Sequence, residues 1–317
     1  MAEFVVGIDI GGTNTKFGIV DKHGKILAQD RLFTNEHDIV EDFITDLHKK
    51  LIPLIEKAGG PKKCAGIGIG APNGNYYTGN IEYAANLKWR GIIPFAGMVS
   101  EKFGLPVRLT NDANAAAMGE MRYGCAKGMK HFITITLGTG VGSGIVIDGK
   151  IVLGHDGFAG ELGHTIIRPG GRLHKGTGIK GSLESYASAT GVRETALELL
   201  AENPETESLL RDYSINDLTS QSVYECAIKG DKIANDIFEF TGQILGEALA
   251  NFVMFSSPEA IVLFGGLTKA GDLIMNPTRK AMEDNLIQIF KNKVTLMYSE
   301  LQEADAAILG ASALVWE

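Results

Sequence analysis

The sequence predicts an α/β fold built of two halves, and three observations carry that reading. At 317 residues the chain has room for two domains of ordinary size. Strand-like runs alternate with stretches of helical periodicity along its length. A unit of strand, glycine-rich loop and strand occurs near the start and again about 120 residues later, in 131–154. That spacing is far too long for a solenoid repeat and suggests a duplicated topology with a cleft between two α/β halves.

The elements follow in order. FVVGIDIGGTNTKFGIVD (4–21) gives strands over 4–10 and 15–20, a third covers 25–32, and Gly11-Gly12 and DKHG (21–24) mark the turns. Ile39, Phe43, Leu47, Leu51 and Ile55 recur near helical spacing, with Asn35 or Glu36 near the start of that helix. Pro53 is expected to kink or end it, because proline has no N–H to give to the preceding turn. CAGIGIGAP (64–72) reads as a buried strand delivering a glycine-rich loop, so the first third is β-β-β-α-β. VRLTNDANAAAMGEM (107–121) is a strand running into an alanine-rich helix, with Asn111 and Asp112 at the junction. Residues 131–154 then give strand, Gly/Thr loop, strand, an Asp148-Gly149 turn of the type I′ hairpin kind, and strand. Helix dominates 183–255, and AIVLFGG (260–266) is a strand ending in two glycines. The C-terminal EADAAILGASALVWE is a helix with Ala, Ile and Leu on one face.

Composition narrows the function. A hydrophobic share of 44% and a charged share of 21% are those of a soluble globular chain. The net charge of −8 and a pI near 5.5 favour neither nucleic acid nor an anionic membrane, so a nucleotide would have to be held by local amides and a cation. Cys64, Cys125 and Cys226 lie far apart with no CxxC pair, which implies free thiols in a reducing compartment. No apolar run approaches the roughly 18 residues of a membrane span, and the N-terminus has no basic region or cleavage site, so a cytoplasmic location is expected.

The chemistry begins at Asp9, placed at the end of a strand and just before Gly11-Gly12-Thr13. A core strand gains nothing from a carboxylate. Glycines, however, let backbone N–H groups approach an anion, threonine hydroxyls add donors, and a neighbouring acid can orient Mg²⁺ through its waters. The alternative is a plain hairpin whose turn Asp9 caps. LGTGVGSG (137–144) is a second Gly/Thr loop. Its glycine spacing is superficially that of a dinucleotide fingerprint, but β-branched IVI follows where that fingerprint requires a helix, which counts against a dehydrogenase. Two such loops facing each other would clamp a triphosphate. Asp112 opens a helix whose N-terminus is expected to hold it ionised; the competing reading is that Asp112 or Asn111 merely caps that helix. Glu161 and His164 stand three apart in AGELGH, a pattern that is often incidental, and no HExxH arrangement is present.

Taken together, GIDIGGTNTKFGIVD, TNDANAAAMGE, TLGTGVGSGIVIDG, AGELGH, GSLESY and LFGG resemble, in that order, the sugar kinases of the ROK family (repressors, open reading frames, kinases). GAPNGNYYTGNIEYAANLKW and GHDGFAGELGH are most similar to its bacterial glucokinases. The resemblance covers nearly the whole chain. It implies the actin-like ATPase (ribonuclease H-like) fold, with 1–111 plus 302–317 as a small N-terminal α/β domain and 112–301 as a larger C-terminal one. It also implies transfer of the γ-phosphoryl group of ATP, with Mg²⁺, to the 6-hydroxyl of a hexose. Glucose is the first choice, an N-acetylhexosamine or fructose the alternative, and the assembly a homodimer or homotetramer. By the same resemblance Asp9 orients Mg²⁺ through water, Gly11, Gly12 and Thr13 form the first phosphate loop, and Gly138, Thr139 and Gly140 the second. Gly265 and Gly266 make the nucleoside-binding turn. Asp112 is the catalytic base, Asn111, Glu161, His164 and Glu184 hold sugar hydroxyls, and Asn86 assists on the approach side.

One departure stands out. Most members carry a zinc site made by the histidine matching His164 and three cysteines in a CxCGxxGC run ahead of the position of Glu184. Here the run is HKGTGIKGS (174–182), with Lys175, Thr177 and Ser182 where cysteines are expected and one residue more than the closest pattern. A single imidazole cannot build a tetrahedral structural site, so no structural zinc is expected. The loop 170–182 must then be held by packing or move, and no metal orients the ring of His164. Some members are sugar-responsive repressors with a helix-turn-helix segment ahead of the first phosphate loop. That loop starts here at Asp9, which leaves no room, so a catalyst without nucleic-acid or membrane partners is expected. An actin-like assembly ATPase would have no use for Glu161 and Glu184.

Overall fold

The computed structural model describes residues 2–316. The chain runs through β1 (Phe4–Ile10), β2 (Asn14–Asp21), β3 (Ile26–Phe33), α1 (Val40–Lys57), β4 (Cys64–Ala71), β5 (Ile81–Glu82) and β6 (Ile92–Ile93). It continues through α2 (Phe95–Phe103), β7 (Val107–Asn111), α3 (Asp112–Tyr123), β8 (Phe132–Leu137), β9 (Val141–Ile147) and β10 (Lys150–Ile151). Helices α4 (Glu184–Ala187), α5 (Ala189–Glu202), α6 (Ser220–Ala227) and α7 (Lys232–Ser256) follow. Then come β11 (Ala260–Phe264), α8 (Asp272–Asn285), β12 (Thr295–Tyr298) and α9 (Glu303–Ala313).

Two five-stranded sheets organise these elements, in the orders β3-β2-β1-β4-β7 and β10-β9-β8-β11-β12. Numbered by chain order within each sheet, both read 3-2-1-4-5. The duplication suggested by the two strand–glycine–strand units is therefore a duplication of whole-sheet topology. In the first sheet β1, β2 and β3 form an antiparallel meander, while β1, β4 and β7 run parallel.

The chain divides into two compact units, one holding residues up to 134, 144–160 and from 299 on, the other 135–143 and 161–298. The first unit thus includes 112–134, 144–160 and 299–301, all of which the sequence reading assigned to the second domain. The physical reason for 112–134 is α3, which packs against α9 and β4. Gly119 of α3 makes room for this crossing: an added Cβ there would lie 2.9 Å from the Cα of Gly310.

Strand β1 reads as an apolar run interrupted only by Gly7 and Asp9 because both of its faces are covered. Phe4, Val6, Ile8 and Ile10 pack with Phe43, Leu47, Leu51 and Ile55 of α1, while Val5 packs with Ile308 and Leu309 of α9. Helix α9 lies on bare backbone: a Cβ at Gly68 would fall 1.9 Å from the Ala311 carbonyl oxygen. Helix α1 starts at Val40, later than Asn35 or Glu36, and runs through Pro53 to Lys57. Its apolar residues at four-residue spacing are fully buried on one face, and the exposed Pro53 sits away from them, where the orphaned Lys49 carbonyl can turn to water. The Asp148-Gly149 turn has φ of +53° and +71°, as a type I′ hairpin requires. All three cysteines are free thiols, and among the described residues no helix is long and apolar enough to cross a membrane.

Candidate active site

In the first unit the parallel strands β1, β4 and β7 end side by side, the edge at which open α/β sheets take ligands. Asp9 pairs with Gly70 across β1 and β4, and Asp112 follows the last residue of β7. Gly70 has no side chain to separate them: a Cβ there would lie 3.6 Å from the Asp112 Cα and 3.9 Å from Asp9 Oδ1. Burial, and then the charge of Asp112, push Asp9 from an ordinary 3.8 up to about 7, against the pull of Lys16. Asp112 is raised as well, by burial, although the Ala113 N–H donates to its Oδ1 at 2.8 Å. Water still reaches Asp112, but the mass of protein around it outweighs the helix N-terminus. The shift runs opposite to the lowering that the helix start would give by itself.

Asn111 is the N-cap of α3. Its Oδ1 accepts the N–H groups of Ala113 at 2.8 Å and Asn114 at 3.4 Å. The capping reading therefore holds for Asn111; its Nδ2 amide is a separate donor. The first Gly/Thr loop is closed by Gly11 N–H to the Asn14 carbonyl at 3.0 Å. Asn86 passes directly beside it, since a Cβ on Gly12 would lie 2.6 Å from the Asn86 carbonyl oxygen.

The second unit holds the other cluster. Its Gly/Thr loop closes by Gly138 N–H to the Gly140 carbonyl at 3.0 Å, and it is pinned to α5. There Ala189 N–H donates to the Gly138 carbonyl at 2.8 Å, and the Thr190 hydroxyl to the Thr139 carbonyl at 3.0 Å. Gly265, at φ +108°, brings the Gly265-Gly266 turn against this loop: a Cβ there would sit 2.6 Å from the Leu137 carbonyl oxygen. Glu161 leads into a 3₁₀ turn, Leu162–His164, and its Oε2 lies 3.8 Å from His164 Nε2. That turn packs on the start of β9, where a Cβ on Gly163 would meet the Val141 carbonyl oxygen at 2.0 Å. Glu184, the first residue of α4, accepts the Val141 N–H on Oε2 at 2.7 Å. Glu184 and the turn that carries His164 therefore both reach Val141, next to the 138–140 loop, with Glu161 at the head of that turn.

Sequence reasoning missed what holds the segment 170–182. Residues 172–181 form a small hairpin, with Leu173 opposite Lys180 and His174 N–H donating to the Ile179 carbonyl at 2.8 Å. Arg172 anchors it. Its guanidinium reaches both Glu198 oxygens at 2.9 and 2.5 Å, the Ser185 and Gly191 carbonyls at 2.6 and 3.1 Å, and Thr195 Oγ1 at 3.1 Å. It also stacks 4.6 Å from the centre of the Tyr186 ring. His174 bridges to Glu184, with Nε2 at 2.9 Å from Oε1. The substituted zinc run itself was the signal, since it places a histidine and an arginine where a metal loop would be. His164 Nδ1 is buried without a partner, and among the described residues no group of three metal-ligating side chains forms. Two expectations follow. Metal analysis of the purified protein should find well under one zinc per chain. Arg172→Ala should lower the unfolding free energy by roughly 2–3 kcal/mol and make 172–181 an early site of limited proteolysis.

Known proteins resemble the chain along nearly its whole length. The model of the ROK family matches residues 5–317, and the chain belongs to that family. It is 36% identical over 315 residues to the glucokinase of Halalkalibacterium halodurans, covering 98% of this chain and 94% of that one. The crystal structure of a ROK family glucokinase from Streptomyces griseus in complex with glucose and AMPPNP is also similar. It superposes with a TM-score of 0.81 at 32% identity, covering 98% of both chains. The fold is thus the actin-like ATPase fold of the ROK sugar kinases. The xylose repressor of Bacillus subtilis is 28% identical over 316 residues, covering 99% of this chain and 77% of the repressor.

Proposed function

We propose that the protein is an ATP-dependent hexose kinase that phosphorylates the 6-hydroxyl of glucose. The observation that supports it most is the pair Asp9 and Asp112 set across the bare Gly70 at the ends of parallel strands. Asp112, raised above the ordinary carboxylate range, is the base that accepts the hydroxyl proton as the phosphoryl group arrives. Gly12 and Thr13 in the first loop and Thr139 and Gly140 in the second offer backbone and hydroxyl donors to the phosphates, and Gly265-Gly266 receives the nucleoside. Glu161, His164 and Glu184 bind sugar hydroxyls, with the Asn111 amide as a further donor and Asn86 on the approach side.

Asp9, with Asp112 beside it, is a hard-oxygen donor pair of the kind that suits hydrated Mg²⁺ alongside substrate phosphates, and Asp9 would hold it. When bound, the ion neutralises phosphate charge. Everything else in the reaction is positioning and charge stabilisation by the chain's own groups.

A coupled ADP-release assay over glucose, N-acetylglucosamine, N-acetylmannosamine, fructose and xylose tests the reading. Glucose is expected to exceed every other sugar in kcat/KM by at least about tenfold, because a site built to hydrogen-bond particular hydroxyls leaves polar groups unpaired with a misfit sugar. A higher value for an N-acetylated sugar or fructose would move the substrate but keep the reaction. The likeness to xylose repressors favours a second reading, a sugar-binding regulator without catalysis. Calorimetric sugar binding with no ADP release from any sugar would replace the kinase reading by that one.

A further inference from the structure

The segment that departs from the family pattern carries a chain of hydrogen bonds ending on Glu184. Thr177 N–H points at His174 Nδ1 at 3.3 Å, and the Thr177 hydroxyl lies 2.8 Å from the same nitrogen. The hydroxyl oxygen accepts the Ile179 N–H at 3.3 Å, so its own proton can turn toward Nδ1. A nitrogen that faces two donors carries no proton, which places the imidazole proton on Nε2. Nε2 lies 2.9 Å from Glu184 Oε1 and donates to it, while Oε2 takes the Val141 N–H at 2.7 Å. Gly140 leaves just enough room for this pose, because a Cβ there would fall 2.3 Å from Glu184 Oε2. Each carboxylate oxygen is held by one donor and keeps a further lone pair for a ligand.

We propose that His174 is a positioning residue for Glu184, that Thr177 fixes its tautomer, and that this brace sets the affinity of the site for its sugar. The inference rests on reading Glu184 as a sugar ligand. Without the brace, Glu184 would have to be ordered by the sugar itself, and that cost appears as weaker sugar binding. The same imidazole stands 6.1 Å, ring centre to ring centre, from His164, so it borders two of the three sugar-binding groups.

The test uses His174→Ala, His174→Gln and Thr177→Val in the full chain. His174→Ala is expected to raise the sugar KM about 10- to 100-fold, the usual effect of losing an orienting partner, with the ATP KM unchanged. His174→Gln keeps an N–H donor and should recover most of the loss. An unchanged sugar KM would overturn the proposal. So would both KM values rising together with a falling Tm and no recovery in the glutamine variant, since that pattern marks a fold defect. Long-range ¹⁵N–¹H spectra read the brace without any turnover. Wild-type His174 should show protonated Nε2 and bare Nδ1, and Thr177→Val, which removes the hydroxyl but keeps the backbone N–H, should weaken that bias. A ring protonated on Nδ1 would sink the proposal even in an active kinase. Absence of hexose phosphorylation by the wild type would instead sink the kinase reading, with calorimetric sugar affinity then reporting on the brace in the same variants.

Discussion

Asp112→Asn is expected to cut kcat for sugar phosphorylation by at least about 100-fold, the lower end of what a general base contributes. The sugar KM should hardly move. Asparagine matches the shape of aspartate but cannot take a proton, so the sugar still binds and only the transfer slows. The fold should survive, because the cap of α3 is made by Asn111 and not by Asp112. Thermal stability of the ligand-free protein should be retained, since the negative charge of Asp112 is unfavourable to its neighbour Asp9. Steady-state kinetics beside a thermal melt check both halves. A variant with near-wild-type turnover would remove Asp112 from the mechanism.

Much of this architecture is legible in the sequence because it is local. Predominantly apolar runs of five to eight residues, punctuated by glycine, mark β1, β4, β8, β9 and β11. The matching Gly/Thr loops reveal the duplication before the sheet orders do. What escapes is what depends on distant partners. Pro53 reads as a helix breaker, yet the pull of Phe43, Leu47, Leu51 and Ile55 into one core carries α1 past it. Strand β12 is only four residues, and it gains its identity by pairing along β11. The upward shift of the Asp112 carboxyl follows from how much protein surrounds it, which no spacing rule reports. The substituted run flags Arg172 and His174, but what they anchor to is unreadable for the same reason. Their partners, Glu198, Thr195 and Glu184, are ordinary residues until the chain folds back on itself.

Asp9→Asn is expected to do two opposite things, stabilising the ligand-free protein at neutral pH and removing its activity. The folded chain holds the Asp9 proton up to about pH 7, whereas the unfolded chain releases it near 3.8. Between those values the folded state binds more protons, so this group's contribution to the unfolding free energy falls as pH rises through the window and levels off above it. Asparagine has no such proton. In buffer with EDTA and no nucleotide, the Tm of the variant minus that of the wild type should be small below pH 4. It should grow through the window and remain several degrees positive above pH 7. Taking the difference cancels the titration of carboxylates that the substitution does not touch. Activity should move the other way, with kcat down at least about 100-fold, since a charge aimed at a reacting group is worth that much. A variant less stable than the wild type at neutral pH would show that Asp9 is a structural acid, capping its turn. A stabler, inactive one means that the fold tolerates an unfavourable charge whose compensation comes from a ligand, as expected of an acid that serves phosphate chemistry.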